Sequence, residues 1–180
     1  MVDELRIGDE APNFDLTSTE DVLLMLRDEV PRTSVVLYFF GDPTDERFRA
    51  DLAELGTGHK MLLNHQTVVL GVSGAKIPAL KEVQKDLQLL FPLLNDDRNF
   101  AAAYGIAKPE EGEPEPALFL VDRNQRVMWA ANPVSSIAEG LKEIEAIIRK
   151  QPSQTANIPS TVVNRLVDWW VNRVRGSRLA

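Results

Sequence analysis

The sequence predicts an α/β domain, a central sheet covered by helices, with an amphipathic helix appended at its C-terminal end. Three observations carry this. Two apolar runs, SVVLYFF at 34–40 and TVVLGVS at 67–73, are rich in β-branched and aromatic residues, as expected of central strands buried on both faces. Each is followed by a stretch with apolar residues every three to four positions, the period of an amphipathic helix. A later pair of short apolar runs, followed by a third helical stripe, closes the unit.

The elements follow in order. Within 44–63, Phe48, Leu52, Leu55 and Leu62 recur at helical spacing, and Gly56 and Gly58 predict a break between them. After the second strand, Ile77, Leu80, Val83, Leu87 and Leu90 trace one face of a helix. Ala117–Val121 and Val127–Ala131 flank DRNQR, which reads as a hairpin with a loop of about five residues. Ile137, Leu141, Ile144 and Ile148 then mark the closing helix. Between helix and hairpin lies KPEEGEPEP, an acidic stretch expected to be a solvated loop.

Composition sets the chemical limits. The chain has 180 residues, 44% hydrophobic and 26% charged, which suits a globular domain with a core of its own. It has no cysteine, so disulfides, thiolate metal ligands and all thiol chemistry are excluded. Its acidic opening, MVDELRIGDE, is unlike a secretory signal, and no run is long and apolar enough to span a membrane, so a cytoplasmic protein is expected. Residues 1–150 hold 16 Lys and Arg against 26 Asp and Glu, whereas 151–180 hold four Arg against Asp168 alone. An acidic body repels phosphates, so no nucleic-acid partner is expected.

This contrast divides the chain into a domain at 1–150 and a tail at 151–180. In the tail, a polar linker precedes IPSTVVNRLVDWWVNRVRGSRLA, where Ser160 can cap a helix and Gly176 can stop it. Leu166, Trp170 and Val174 lie on its apolar stripe, Trp169 widens that stripe, and Arg173 and Arg175 lie off it. About fifteen helical residues alone are marginal in water, so this face needs a cover. Its own domain or a second copy, a protein partner, and peripheral contact with an anionic membrane are the three covers open to it.

Five ordered segments carry a family resemblance: IGDEAPNFDLTS, VVLYFFGDPTDERF, VVLGVSG, FPLLNDDRNFAAAYGI and PALFLVDRNQRV. Together they resemble the peroxiredoxins of the AhpC/TSA branch, alkyl hydroperoxide reductase and thiol-specific antioxidant, nearest to the bacterioferritin comigratory type. The order strand, helix, strand, helix, hairpin, helix agrees, being that of the thioredoxin-like fold these proteins share. The resemblance implies a peroxidatic cysteine three residues after a threonine at the start of the first long helix, an arginine at the start of a later strand, and a cis-proline. Thr44 matches the threonine, and Arg47 stands at the cysteine position. Pro116 or Ala117 stands at the arginine position, and Leu52 occupies the place of a resolving cysteine in some members. Pro116 is the cis-proline candidate, with an ordinary trans loop proline as the alternative.

The residues around Thr44 read as a helix start. Asp42 is the expected N-cap, Pro43 the first helical residue, and Asp45 and Glu46 lie where the helix dipole favours acids. Arg47 opposes that dipole, so a neighbouring carboxylate is expected to compensate it; the alternative is that it binds a small anion. His59 and His65 are six residues apart and do not form a metal pair, so both are expected at the surface. No G-x-S-x-G elbow or phosphate-cradling glycine loop is present, and Asp96 and Asp97 in LLNDDRN read as a loop with Asp96 as a cap. No cofactor and no metal are expected. Two functions remain open: a catalytically inactive scaffold, regulatory or interaction subunit, and an oxidoreductase-like enzyme using the remodelled pocket for non-thiol chemistry.

Overall fold

The computed structural model describes residues 5–29, 33–98, 100–106 and 115–151. A seven-stranded mixed sheet runs in the order β2-β1-β5-β4-β3-β6-β7. Its middle is β3 (Ser34–Phe39) and β4 (Thr67–Ser73), paired parallel in register from Ser34↔Thr67 to Phe39↔Val72. Every residue of both strands is buried, which explains why each reads as an unbroken apolar run.

Crossover connections place α2 (Glu46–Asn64) between β3 and β4, and α3 (Ile77–Asp86) between β4 and the short parallel β5 (Leu93–Asn95). β6 (Ala117–Val121) runs antiparallel to β3, and β7 (Val127–Ala131) completes the hairpin at the positions expected. α4 (Ile137–Ile148) starts at Ser136, whose hydroxyl accepts from the Glu139 amide, and packs beside α2. This is the thioredoxin-like arrangement with additions. β1 (Asp15–Ser18) and β2 (Leu23–Met25) extend the sheet past β5, and a single turn, α1 (Leu26–Glu29), follows.

The sheet separates two cores. Alternate residues of β3 and of the position after it serve each: Val36, Tyr38 and Phe40 join the core with α2, α3 and α4, whereas Val35, Leu37 and Phe39 join the core with Phe14, Leu16, Tyr104 and Phe119. Gly71, at the centre of β4, is required by close packing. A Cβ there would lie 2.5 Å from Leu93 Cδ2 and 3.3 Å from Phe40 Cε1.

Several expectations are corrected. Gly56 and Gly58 do not break α2; they narrow it where other groups approach, and a Cβ at Gly58 would meet Leu141 Cδ1 at 2.8 Å. α3 ends at Asp86, before Leu90, which stands 43% exposed; Gln88, with φ of +52°, turns the chain away from the helix. His59 is buried rather than superficial, 2% exposed, with its ring 5.6 Å from that of Phe91. Loss of hydration pushes its pKa down to about 4. His65 is exposed at the C-cap of α2. Asp96 caps as expected, its carboxylate accepting from the Phe100 and Ala101 amides at the 3-10 turn Phe100–Tyr104.

Among the described residues no helix is long and apolar enough to cross a membrane. The tail residues Leu166, Trp169, Trp170, Arg173, Val174 and Arg175 lie outside the described residues, as does most of the acidic stretch before Glu115.

Candidate functional site

The site is built where β3 gives way to α2. The loop is fixed to the end of β4: the Phe40 amide donates to the Val72 carbonyl at 3.0 Å, and the Ser73 hydroxyl donates to the Gly41 carbonyl at 2.8 Å. Asp42 then makes a side-chain turn. Its Oδ1 accepts from the Thr44 amide at 2.8 Å and from the Thr44 hydroxyl at 2.7 Å. These two donors hold the Asp42 carboxyl below its ordinary pKa.

The helix cap is therefore not Asp42. Asp45, in extended backbone conformation, is the N-cap, and its Oδ1 accepts from the Arg47 amide at 2.8 Å. The displacement has a local reason: Asp42 and Pro43 are spent on the turn that brings the chain off the sheet, so α2 begins three residues later. Thr44 is exposed and its hydroxyl points its proton at Asp42. Asp42 is a poor base for that hydroxyl, because the same contacts that orient it stabilise its ionised form.

Arg47 meets the carboxylate its position called for. Its Nη1 lies 3.6 Å from Oε2 of Glu115, and its Cζ sits 4.6 Å from the centroid of the Phe48 ring. Both side chains of the ion pair are about half exposed, so the pair is a screened surface contact rather than a buried clamp. Beneath it, the buried Tyr38 donates its hydroxyl to Asp51 Oδ2 at 2.7 Å and stacks on Phe40 with centroids 5.6 Å apart. Burial, reinforced by Asp51, pushes the Tyr38 pKa well above its usual value, with Arg47 opposing. The phenol stays protonated and provides neither a base nor a nucleophile.

The cis-proline is also relocated. Glu115–Pro116 is not cis; among the described residues the cis bond is Asn132–Pro133, just past β7. Pro116 instead leads straight into β6, where Ala117 pairs with Phe39, and an extended entry suits a trans bond. The two prolines lie at the same end of the hairpin, and the Val134 amide donates to the Pro116 carbonyl at 2.7 Å.

The structure thus brings Thr44, Arg47, Glu115, Tyr38 and Asp51 to one end of the sheet. Sequence reasoning missed Glu115, Tyr38 and Asp51. Asp51 carried a faint signal, since it follows Arg47 by four residues on the same helix face. Glu115 is 68 residues from Arg47 and carried none. The chain has no thiol, the Tyr38 phenol at this site is held as a donor, and the Arg47 cation is paired with Glu115.

Residues 7–130 match the model of the AhpC/TSA family. Among solved structures, the chain is similar to a peroxidoxin, BcpB, from Mycobacterium tuberculosis, with a TM-score of 0.75 and 17% identity over 81% of this chain and 97% of that one. It is also similar to a PrxQ variant from Xylella fastidiosa, with a TM-score of 0.73 and 21% identity over 81% and 98% of the two chains. Peroxiredoxin Q from Xanthomonas campestris gives a TM-score of 0.66 at 19% identity, covering 76% and 89%. None of the curated proteins matches the chain.

Proposed function

The chain belongs to the AhpC/TSA family, and from that membership we propose that it is a catalytically inactive member acting as a scaffold, regulatory or interaction subunit. One observation carries this reading. In a chain without cysteine, Arg47, which the family resemblance sets at the place of the peroxidatic cysteine, has its guanidinium paired with Glu115 and over the Phe48 ring. Threonine, arginine and methionine cannot pass through the sulfenate cycle by which a thiol reduces a peroxide. The interaction role rests on the tail, whose sequence predicts an apolar helical stripe and whose four arginines contrast with the acidic body.

Two experiments test the two halves. Peroxide consumption is followed with thioredoxin or dithiothreitol supplied; a rate above the buffer blank overturns the inactive reading. Pull-down from soluble and membrane fractions then compares the full chain with a version ending at Lys150. A partner or a membrane fraction lost with the tail supports the interaction role and reports where the protein resides. Equal recovery by both versions rejects the tail as the interaction surface.

A further inference from the structure

On the other face of the sheet from Arg47, a cavity of about 470 Å³ lies between the N-terminal segment and the hairpin. That volume falls in the range of small-ligand sites. Its floor is the Tyr104 and Phe119 rings, packed edge to face with centroids 5.2 Å apart, together with Ala130 of β7. Its rim carries Arg6 and Asn132, with Leu5 and Ile7 completing the wall. None of the residues of the Arg47 site lines it.

The wall is held in place by backbone contacts. The segment runs along β7, with the Gly8 amide donating to the Val127 carbonyl at 2.8 Å, the Val127 amide to the Asp9 carbonyl at 2.9 Å and the Ala11 amide to the Gln125 carbonyl at 2.8 Å. Asp9 Oδ2 accepts from the Arg6 amide at 2.8 Å, and the Asp9 amide donates to the Arg6 carbonyl at 3.1 Å, so a closed turn sets Arg6 at the rim. Ile7 is 68% exposed, the most exposed large apolar side chain among the described residues. Ala130 keeps the space open where a larger residue of the strand would fill it.

The polar groups set the ligand chemistry. Tyr104 already donates its hydroxyl to the Pro12 carbonyl at 2.6 Å, and Asn132 Nδ2 reaches the Gly105 carbonyl at 3.3 Å with a second proton to spare. Arg6 makes no ion pair among the described residues, although the surrounding body is acidic. An arginine lining the same cavity as an apolar floor fits a carboxylate attached to an aromatic or short aliphatic group. We propose that this cavity binds a small amphiphilic carboxylic acid, its apolar part on Tyr104, Phe119 and Ala130 and its carboxylate on Arg6 and Asn132.

The test is a titration of the full chain with 3-phenylpropionate, and with 3-phenylpropanol as its uncharged counterpart, followed by NMR. Saturable shifts are expected at Ile7, Phe119 and Ala130, with the carboxylate bound more tightly than the alcohol. Arg6→Gln is expected to weaken the carboxylate roughly tenfold, the size of a lost charge-assisted hydrogen bond, and to leave the alcohol unchanged. Ala130→Phe is expected to abolish both; Ala130→Leu is the second variant should the larger ring disturb β7. No saturable shift at these residues up to about 10 mM, the weak end of measurable affinity, overturns the site. Equal weakening of acid and alcohol by Arg6→Gln overturns the carboxylate assignment.

Discussion

The guanidinium of Arg47 lies 3.6 Å from the carboxylate of Glu115, so the site pairs a cation on the helix with an anion on the strand entry. A thiolate at the start of a helix needs the opposite surroundings, a nearby cation and no carboxylate. Restoring a thiol alone should therefore not restore its reactivity. Arg47→Cys is expected to alkylate slowly, with its thiol pKa held up by the freed Glu115 carboxylate. Adding Glu115→Arg is expected to lower that pKa and to raise the alkylation rate at neutral pH severalfold. Iodoacetamide kinetics across pH measure both, and identical profiles for the single and double variants would show that Glu115 does not reach position 47.

The phenol beneath that pair is a structural donor. Tyr38→Phe removes the 2.7 Å bond to Asp51 and is expected to cost about 1 kcal/mol, while Asp51→Ala, which strands a buried hydroxyl, is expected to cost about 1–3 kcal/mol. A double-mutant cycle in urea should return a coupling of about 1 kcal/mol. The raised pKa adds a signature. Above pH 10 the unfolded chain releases the phenolic proton that the folded chain keeps, so stability falls as pH rises, and Tyr38→Phe removes part of that fall. Tyr104, whose pKa burial also raises, keeps the remainder.

His59 makes the fold sensitive to acid. Its pKa is about 4 in the folded chain against 6.5 ordinarily, so between those values the unfolded chain binds the proton and the folded chain does not. Stability from this group is fully present above pH 6.5 and drains away as pH falls towards 4, by roughly 3 kcal/mol in all. His59→Leu is expected to flatten the urea midpoint over this window. An unchanged slope would place the acid sensitivity elsewhere.

The two candidate caps of α2 can be told apart by substitution. Asp45→Ala removes the acceptor of the Arg47 amide and is expected to cost about 1 kcal/mol. Asp42→Ala is expected to cost less, because it frees an exposed Thr44 without uncapping the helix. Thermal unfolding of both variants gives the order directly, and a larger loss for Asp42→Ala would return the cap to that residue.

Gly71 allows β4, β5 and Phe40 to close on one another. Gly71→Ala is expected to cost about 1–3 kcal/mol by overpacking, since its Cβ would fall 2.5 Å from Leu93 Cδ2. Combining it with Leu93→Val is expected to recover part of the loss. Additive losses in the denaturation midpoints would mean that the strain lies in the backbone rather than at Leu93.

What the sequence by itself determined was local and periodic. Strands buried on both faces must be apolar throughout, so β3 and β4 stood out; α4 and the β6–β7 hairpin followed from a clear helical stripe and two short runs around a polar loop. The absence of cysteine and the presence of Arg47 beside Thr44 were legible for the same reason, being properties of residues in order. The short strands β1, β2 and β5 were not, because three or four residues carry too little periodicity to stand apart from loops. Only the tertiary structure decided what depends on approach through space. Leu141 converted Gly58 from an apparent break into a packing requirement, Leu93 imposed the same requirement on Gly71 within its strand, and Phe91 met His59 in the core. Glu115 came to Arg47 because β6 pairs with β3, which ends where α2 is about to begin. Spacing along a chain reveals a helix face or a strand face; which distant charge meets it is fixed by sheet order and register, and these are set by the packing of all the elements together.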